Sequence, residues 1–197
     1  MDESKYIEKE KKSFDVHISY IVEQEYPELM DQLLDGYEQA FPDIDTAQIQ
    51  RCYTRDELQQ VLNHPDYAKI ITVNKNIVYG CCIVATQAEH MKDAYANPRR
   101  YSKELRPEEC IYYVTALFAT RSGQKENISK LAEKLAEFAI SNNAALGFDY
   151  CDSNPDLPHI FEHVAQKAAA KQGGSIETKK IGWQAFALMH YNKGEEK

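Results

Sequence analysis

Residues 110–119, CIYYVTALFA, run almost directly into residues 124–141, QKENISKLAEKLAEFAIS, and this junction decides the fold. The first stretch is β-branched, aromatic and small apolar residues without a charge, the composition of a strand buried in a sheet. In the second, Ile128, Leu131, Leu135, Phe138 and Ala139 recur at helical spacing and give the helix one apolar face. Residues 144–151, AALGFDYC, then read as the next strand. A β-α-β succession of this kind calls for an α/β sheet covered by helices.

Upstream of the junction, residues 67–73 (YAKIITV) and 77–86 (IVYGCCIVAT) are strand-like runs joined through Asn74, Lys75 and Asn76. Asparagine tolerates left-handed backbone, so a tight hairpin is expected there. Thr54 and Glu57 have the capping-box spacing and open a helix that runs to about His64, before Pro65. Leu29, Leu33, Leu34, Tyr37 and Phe41 predict an earlier helix over 25–41, and residues 14–22, FDVHISYIV, predict a first strand. Residues 87–109 are polar, carry Pro98 and Pro107, and read as a long connection with a short helix.

Downstream, a helix is expected from about Pro158 to Lys171, stopped by Gly173-Gly174, and residues 176–191 predict a last strand, bent or broken near Gly182. One domain over 14–191 is expected, between tails at 1–13 and 192–197. The class is α/β (α+β), with an antiparallel hairpin feeding β-α-β-α-β. The last strand offers an edge for a homodimer.

The charge balance excludes some partners. Asp and Glu number 31 against 23 Lys and Arg, a formal net charge of -8. Nucleic acid and anionic membranes reward clustered cations, so neither is expected, whereas an amine-bearing substrate suits an acidic surface. The opening MDESKYIEKEKK mixes both charges without an apolar run and reads as neither signal peptide nor transmembrane segment. Five cysteines without a Cys-x-x-Cys spacing then read as reduced thiols, and a cytoplasmic location is expected.

The strand's end, Leu117-Phe118-Ala119-Thr120-Arg121, precedes Gln124-Lys125-Glu126-Asn127-Ile128-Ser129. Farther on stands Asn154-Pro155-Asp156-Leu157-Pro158-His159-Ile160-Phe161-Glu162-His163-Val164-Ala165. Together with the order of elements, these segments resemble the GCN5-related N-acetyltransferases. In that family a strand ending Leu-x-Val-x-Pro leads into Arg/Gln-x-x-Gly-x-Gly/Ala at a helix start. A later Asn-x-x-Ala-x-x-Leu-Tyr-Glu-Lys-Leu-Gly follows the next strand. Gln124 and Asn154 match, as do Ile160, Glu162 and Val164; Asn127, Ser129, Phe161 and Ala165 depart.

The resemblance implies a mixed central sheet of six or seven strands with helices on both faces, and acetyl-CoA as cosubstrate with no metal. It implies that amides of the first turn, Gln124 to Ser129, bind the diphosphate, because a helix N-terminus holds unpaired N–H groups and partial positive charge. Backbone groups at Leu117, Phe118 and Ala119 would hold the pantetheine arm, with Asn154 nearby. Glu126 sets a carboxylate inside that loop, offset in part by Lys125. Phe161 replaces a tyrosine that gives the leaving thiolate its proton, and a phenyl ring has none to give.

For proton transfer, Tyr113 holds the strand position of a base in some relatives, Glu109 is a carboxylate at the strand's mouth, and His163 is a candidate acid. Beside these roles, Tyr113 also reads as a core aromatic and Asn127 as a helix cap. Two rivals share the residues. The departures fit a non-catalytic acyl-CoA-binding or interaction module. His159-Ile160-Phe161-Glu162-His163 also matches the His-x-x-Glu-His pattern of a zinc hydrolase, with two histidines one turn apart.

Overall fold

The fold is that of a computed structural model over residues 14–41, 52–94, 98–120, 124–149, 157–171 and 173–178. Five strands form one sheet in the order β1 (Asp15–Ser19), β2 (Tyr67–Asn74), β3 (Ile77–Ala85), β4 (Cys110–Ala119) and β5 (Ala144–Gly147). The first four are antiparallel neighbours and β5 joins β4 in parallel. The expectation of six or seven strands is therefore corrected to five among the described residues. Ile176–Thr178 of the expected last strand carry no strand pairing, and its remainder, with the proposed dimer edge, lies outside the described residues, as do both tails.

Local chemistry explains the elements. Lys75 and Asn76 both adopt left-handed backbone (φ 51 and 62), so the β2–β3 turn is two residues and Asn74 already pairs with Ile77. Thr54 accepts the Glu57 amide while Glu57 reaches back to the Thr54 amide, the full capping box at the start of the helix over Arg55–Leu62. The helix expected over 25–41 is instead broken. A short α1 (Val22–Glu25) and a 3-10 turn (Pro27–Leu29) precede α2 (Met30–Ala40), because Pro27 has no N–H to continue a ladder. With the helix at Arg55–Leu62 as α3, the rest are α4 (Pro98–Tyr101), α5 (Gln124–Ser141) and α6 (Leu157–Lys171). A 3-10 segment at Ala88–Ala94 precedes α4.

Two apolar layers sandwich the sheet. On one face Ile71, Cys81, Ile83 and Phe118 pack with Leu33, Tyr37 and Leu58 from α2 and α3. On the other, Ile70, Cys82 and Val84 pack with Leu131 and Leu135 of α5. Each fully buried leucine contributes about 1.5–3 kcal/mol of transfer free energy.

Lys69 is the unusual member of this core: its side chain is fully buried, and Nζ donates to the carbonyls of Tyr20 (2.6 Å), His64 (2.9 Å) and Tyr67 (2.8 Å). Burial draws its ammonium down to about 8. No helix in the described residues is long and apolar enough to cross a membrane.

Candidate functional site

The sheet opens at β4. Cys110 pairs with Ala144, and the parallel ladder continues to Tyr113 and Gly147. Beyond that point β4 runs on through Val114–Ala119, and among the described residues no strand flanks it on the β5 side. Unpaired backbone N–H and C=O groups along such an edge are a template for an extended ligand.

A bulge accentuates the opening. Ile83 pairs with Ala116 and Val84 with Val114, leaving Thr115 as the extra residue of β4. The side-chain alternation consequently slips: Ile111 and Tyr113 before the bulge share a face with Ala116 and Phe118 after it. Bulges re-aim backbone groups, and this one lies two residues beyond the last β5 pairing.

At the far end of β4 the Tyr79 carbonyl gathers three donors: the Thr120 amide (2.8 Å), the Thr120 hydroxyl (3.2 Å) and the Asn127 side-chain amide (3.4 Å). Tyr79 is itself the extra residue of a bulge on β3. This carbonyl ties the exit of β4 to the first turn of α5, so that the turn's unpaired amides stand at the end of the open edge. Gly80 permits the approach, since a Cβ there would lie 2.8 Å from the Phe118 carbonyl oxygen and 3.1 Å from Leu131.

The sequence-derived residues divide. Leu117, Phe118 and Ala119 lie on the open stretch, with the Phe118 ring edge-on to Tyr37 at 5.8 Å between centroids. Gln124, Lys125 and Glu126 form the first turn of α5, followed by Ile128 half-buried and Ser129 exposed. Asn127 is fully buried and turned toward β3, so its side chain anchors the helix to the sheet. Asn154 lies outside the described residues.

The proton-transfer candidates fare differently. Tyr113 is buried, its hydroxyl donates to Asp149 Oδ1 at 2.9 Å, and its ring meets Tyr101 edge-on. Burial first, and the Asp149 charge second, push the phenol far above its ordinary range. Such a phenol keeps its proton at neutral pH, and the buried ring fits the reading of Tyr113 as a core aromatic.

Glu109 accepts the Arg106 amide at 2.9 Å, closing its own loop. Six residues of strand, about 20 Å, separate it from the bulge. His163 is exposed on α6, as are His159 and Glu162; among the described residues these three do not converge as metal ligands.

Asp149 is the residue that the sequence reading passed over. It lies two positions beyond the last β5 pairing, exposed at the fork, with a carboxylate oxygen fixed by the Tyr113 hydroxyl. Gly147 makes room for this arrangement, because a Cβ there would sit 2.7 Å from the Tyr113 ring. The sequence sets it inside the strand expected over 144–151, whereas pairing ends at Gly147, so Asp149 stands past a strand's carboxyl end, where α/β sheets bind ligands.

No family model matches the chain, and no curated protein matches it. Solved structures do. An aminoglycoside acetyltransferase from an uncultured soil metagenomic sample, in complex with sisomicin, superposes with a TM-score of 0.54 at 13% identity, over 89% of this chain and 97% of that one. The same acetyltransferase in complex with trehalose gives 0.51 at 15% identity, over 92% and 97%. The chain has the fold of the GCN5-related N-acetyltransferases. Among the described residues, a five-stranded mixed sheet with helices on both faces forms a single α/β domain of that fold.

Proposed function

We propose that the chain is an acyl-CoA-dependent N-acyltransferase that moves an acetyl group from acetyl-CoA to an amine. One observation carries this reading: β4 and β5 run together for four residue pairs and then part, beside a bulge and ahead of a helix N-terminus. The open edge fits an extended chain bearing amides, and the first turn of α5 fits a diphosphate. Backbone at Leu117, Phe118 and Ala119 would hold the pantetheine arm, and the first-turn amides of Gln124, Lys125 and Glu126 the diphosphate. Acetyl-CoA bound there supplies a thioester whose carbonyl carbon is attacked by the amine, forming an amide and releasing the thiol.

The chain's own task is to polarise that carbonyl and take a proton from the amine. A backbone amide at the Thr115 bulge suits the first task. The Asp149 carboxylate, oriented by Tyr113, suits the second, directly or through one water. An amine acceptor agrees with the net charge of -8 and with the acetyltransferase neighbour that carries sisomicin. A cytoplasmic enzyme is the setting this reading assumes.

The buried, proton-holding Tyr113 and the loop-bound Glu109 favour a second reading, a module on this fold that binds acyl-CoA without turnover. The test is thiol release from acetyl-CoA across a panel of aminoglycosides, polyamines and peptide N-termini, beside calorimetric CoA titration. Turnover with any amine establishes the transferase. Binding with no turnover establishes the module, and neither binding nor turnover overturns both.

A further inference from the structure

A second constellation lies in the turn before β2 and in the long β3–β4 connection. His90 Nε2 is 3.0 Å from Asp66 Oδ2, and His64 Nδ1 is 3.9 Å from the same oxygen. One possible ligand atom from each residue lies within 4.8 Å of the other two, and among the described residues this is the one such group. We propose that His64, Asp66 and His90 bind a zinc ion that staples the β3–β4 connection to the turn between α3 and β2.

Two imidazole nitrogens and one carboxylate oxygen are a zinc-type donor set, borderline between hard and soft. Ligand bonds of about 2.1 Å place neighbouring donors about 3.4 Å apart on a tetrahedral ion. Shifts of about 1 Å bring the three groups to that spacing, and rotation of side chains on held backbone supplies them.

Each ligand's backbone is in fact held. The His64 carbonyl accepts Lys69 Nζ and the Tyr67 amide, and the Asp66 carbonyl accepts both the amide and the hydroxyl of Thr86. The His90 amide donates to Gln87, and its neighbour Met91 is fully buried. Tyr67 walls the group, 5.0 Å from the His90 ring and 5.7 Å from the His64 ring, between centroids. Side-chain exposures of 44% for His64, 36% for Asp66 and 19% for His90 leave the fourth position to water.

Entry of the ion has a definite proton balance. Without metal, the Asp66 amide donates to His64 Nδ1 at 3.2 Å, and His90 Nε2 lies 3.0 Å from Asp66 Oδ2. Zinc takes the Nε2 lone pair of the neutral His90 ring, whose one ring proton then sits on Nδ1, so the neutral ring loses no proton. His64 either gives up the amide bond or turns to present Nε2.

The consequence is mechanical. The 3-10 segment that carries His90 leads into α4, whose Tyr101 ring meets Tyr113 at the β4–β5 fork. The ion would hold in place the connection that borders the fork.

The test uses the full chain, reduced and stripped of metal, titrated with zinc against a chromophoric chelator. One zinc per chain is expected, with a rise in melting temperature. His90→Ala and Asp66→Asn should each weaken binding by about 10-fold or more. Cobalt on the unaltered chain should give visible ligand-field bands without a thiolate charge-transfer band, since no cysteine belongs to the group.

Equal zinc affinity in all three proteins would overturn the proposal. So would no binding, or a thiolate band. The cobalt spectrum decides the matter even if a variant fails to fold, and none of these readouts depends on acyl transfer.

Discussion

The adjoining strand pairs β2–β3 and β4–β5 are built to opposite ends. β2 and β3 are joined by a two-residue turn and pair along their whole length apart from the bulge at Tyr79. The buried apolar side chains of both strands belong to the two core layers, and even the Lys69 ammonium has three carbonyl partners. β4 and β5 pair only from Cys110 to Tyr113, and the open stretch beyond leaves backbone polar groups on an edge. Satisfied polar groups fix a structure, whereas an edge left unpaired beside a helix N-terminus is free for a ligand. Substitution on the two sides should therefore separate stability from activity.

The largest expected effect is at the fork. Asp149→Asn keeps the size of the side chain and an acceptor for the Tyr113 hydroxyl, and it removes the charge that would take the amine's proton. On the acyl-transfer reading, kcat should fall by about 10²–10⁴-fold, the usual worth of general base catalysis. CoA affinity, measured by calorimetry, should stay within about twofold. A fall of less than tenfold would remove Asp149 from proton transfer.

The sealed side should respond in the opposite sense. Lys69→Met fills nearly the same volume but leaves the carbonyls of Tyr20, His64 and Tyr67 without their shared donor. The His64 carbonyl keeps the Tyr67 amide, while an acceptor left unsatisfied costs about 1–3 kcal/mol, offset in part by no longer burying a charge, for a net loss of about 2 kcal/mol. Urea unfolding should report this as a lower midpoint with an unchanged slope, while the folded fraction binds CoA as before. An unchanged midpoint would mean that the ammonium contributes nothing net.

What could be read from the chain follows from the same contrast. Strand β4 at 110–119, the β2–β3 hairpin and the Thr54 cap were legible because each rests on local chemistry: an apolar run, a left-handed turn, a Thr-x-x-Glu spacing. The Thr115 bulge was not. In CIYYVTALFA nearly every residue is apolar, so a slip in the alternation leaves no trace in the polar pattern.

Asp149 was hidden because its role depends on where β5 stops pairing, which Gly147 and the Tyr113 ring settle in three dimensions. Asp66 and His90 stand 24 residues apart and meet only because the β2–β3 hairpin doubles back. Asn127 is expected as a helix cap, but α5 starts at Gln124 and the direction of the Asn127 side chain depends on the Tyr79 carbonyl.

The smallest effect tests the boundary between the two regimes, at Tyr113 itself. Its ring is core and its hydroxyl reaches the fork, so Tyr113→Phe removes one hydrogen bond and little volume. The partner Asp149 is exposed and can regain water, so the stability loss should be about 1 kcal/mol. Turnover should fall less than about tenfold, through looser positioning of the carboxylate. The pH profile discriminates further. A phenol pushed upward by burial and by Asp149 does not ionise in the working range, so the variant should keep the acidic limb of the unaltered protein's kcat/KM curve. If that limb disappears, or turnover drops a hundredfold, the proton passes through Tyr113 and the fork works by the phenol.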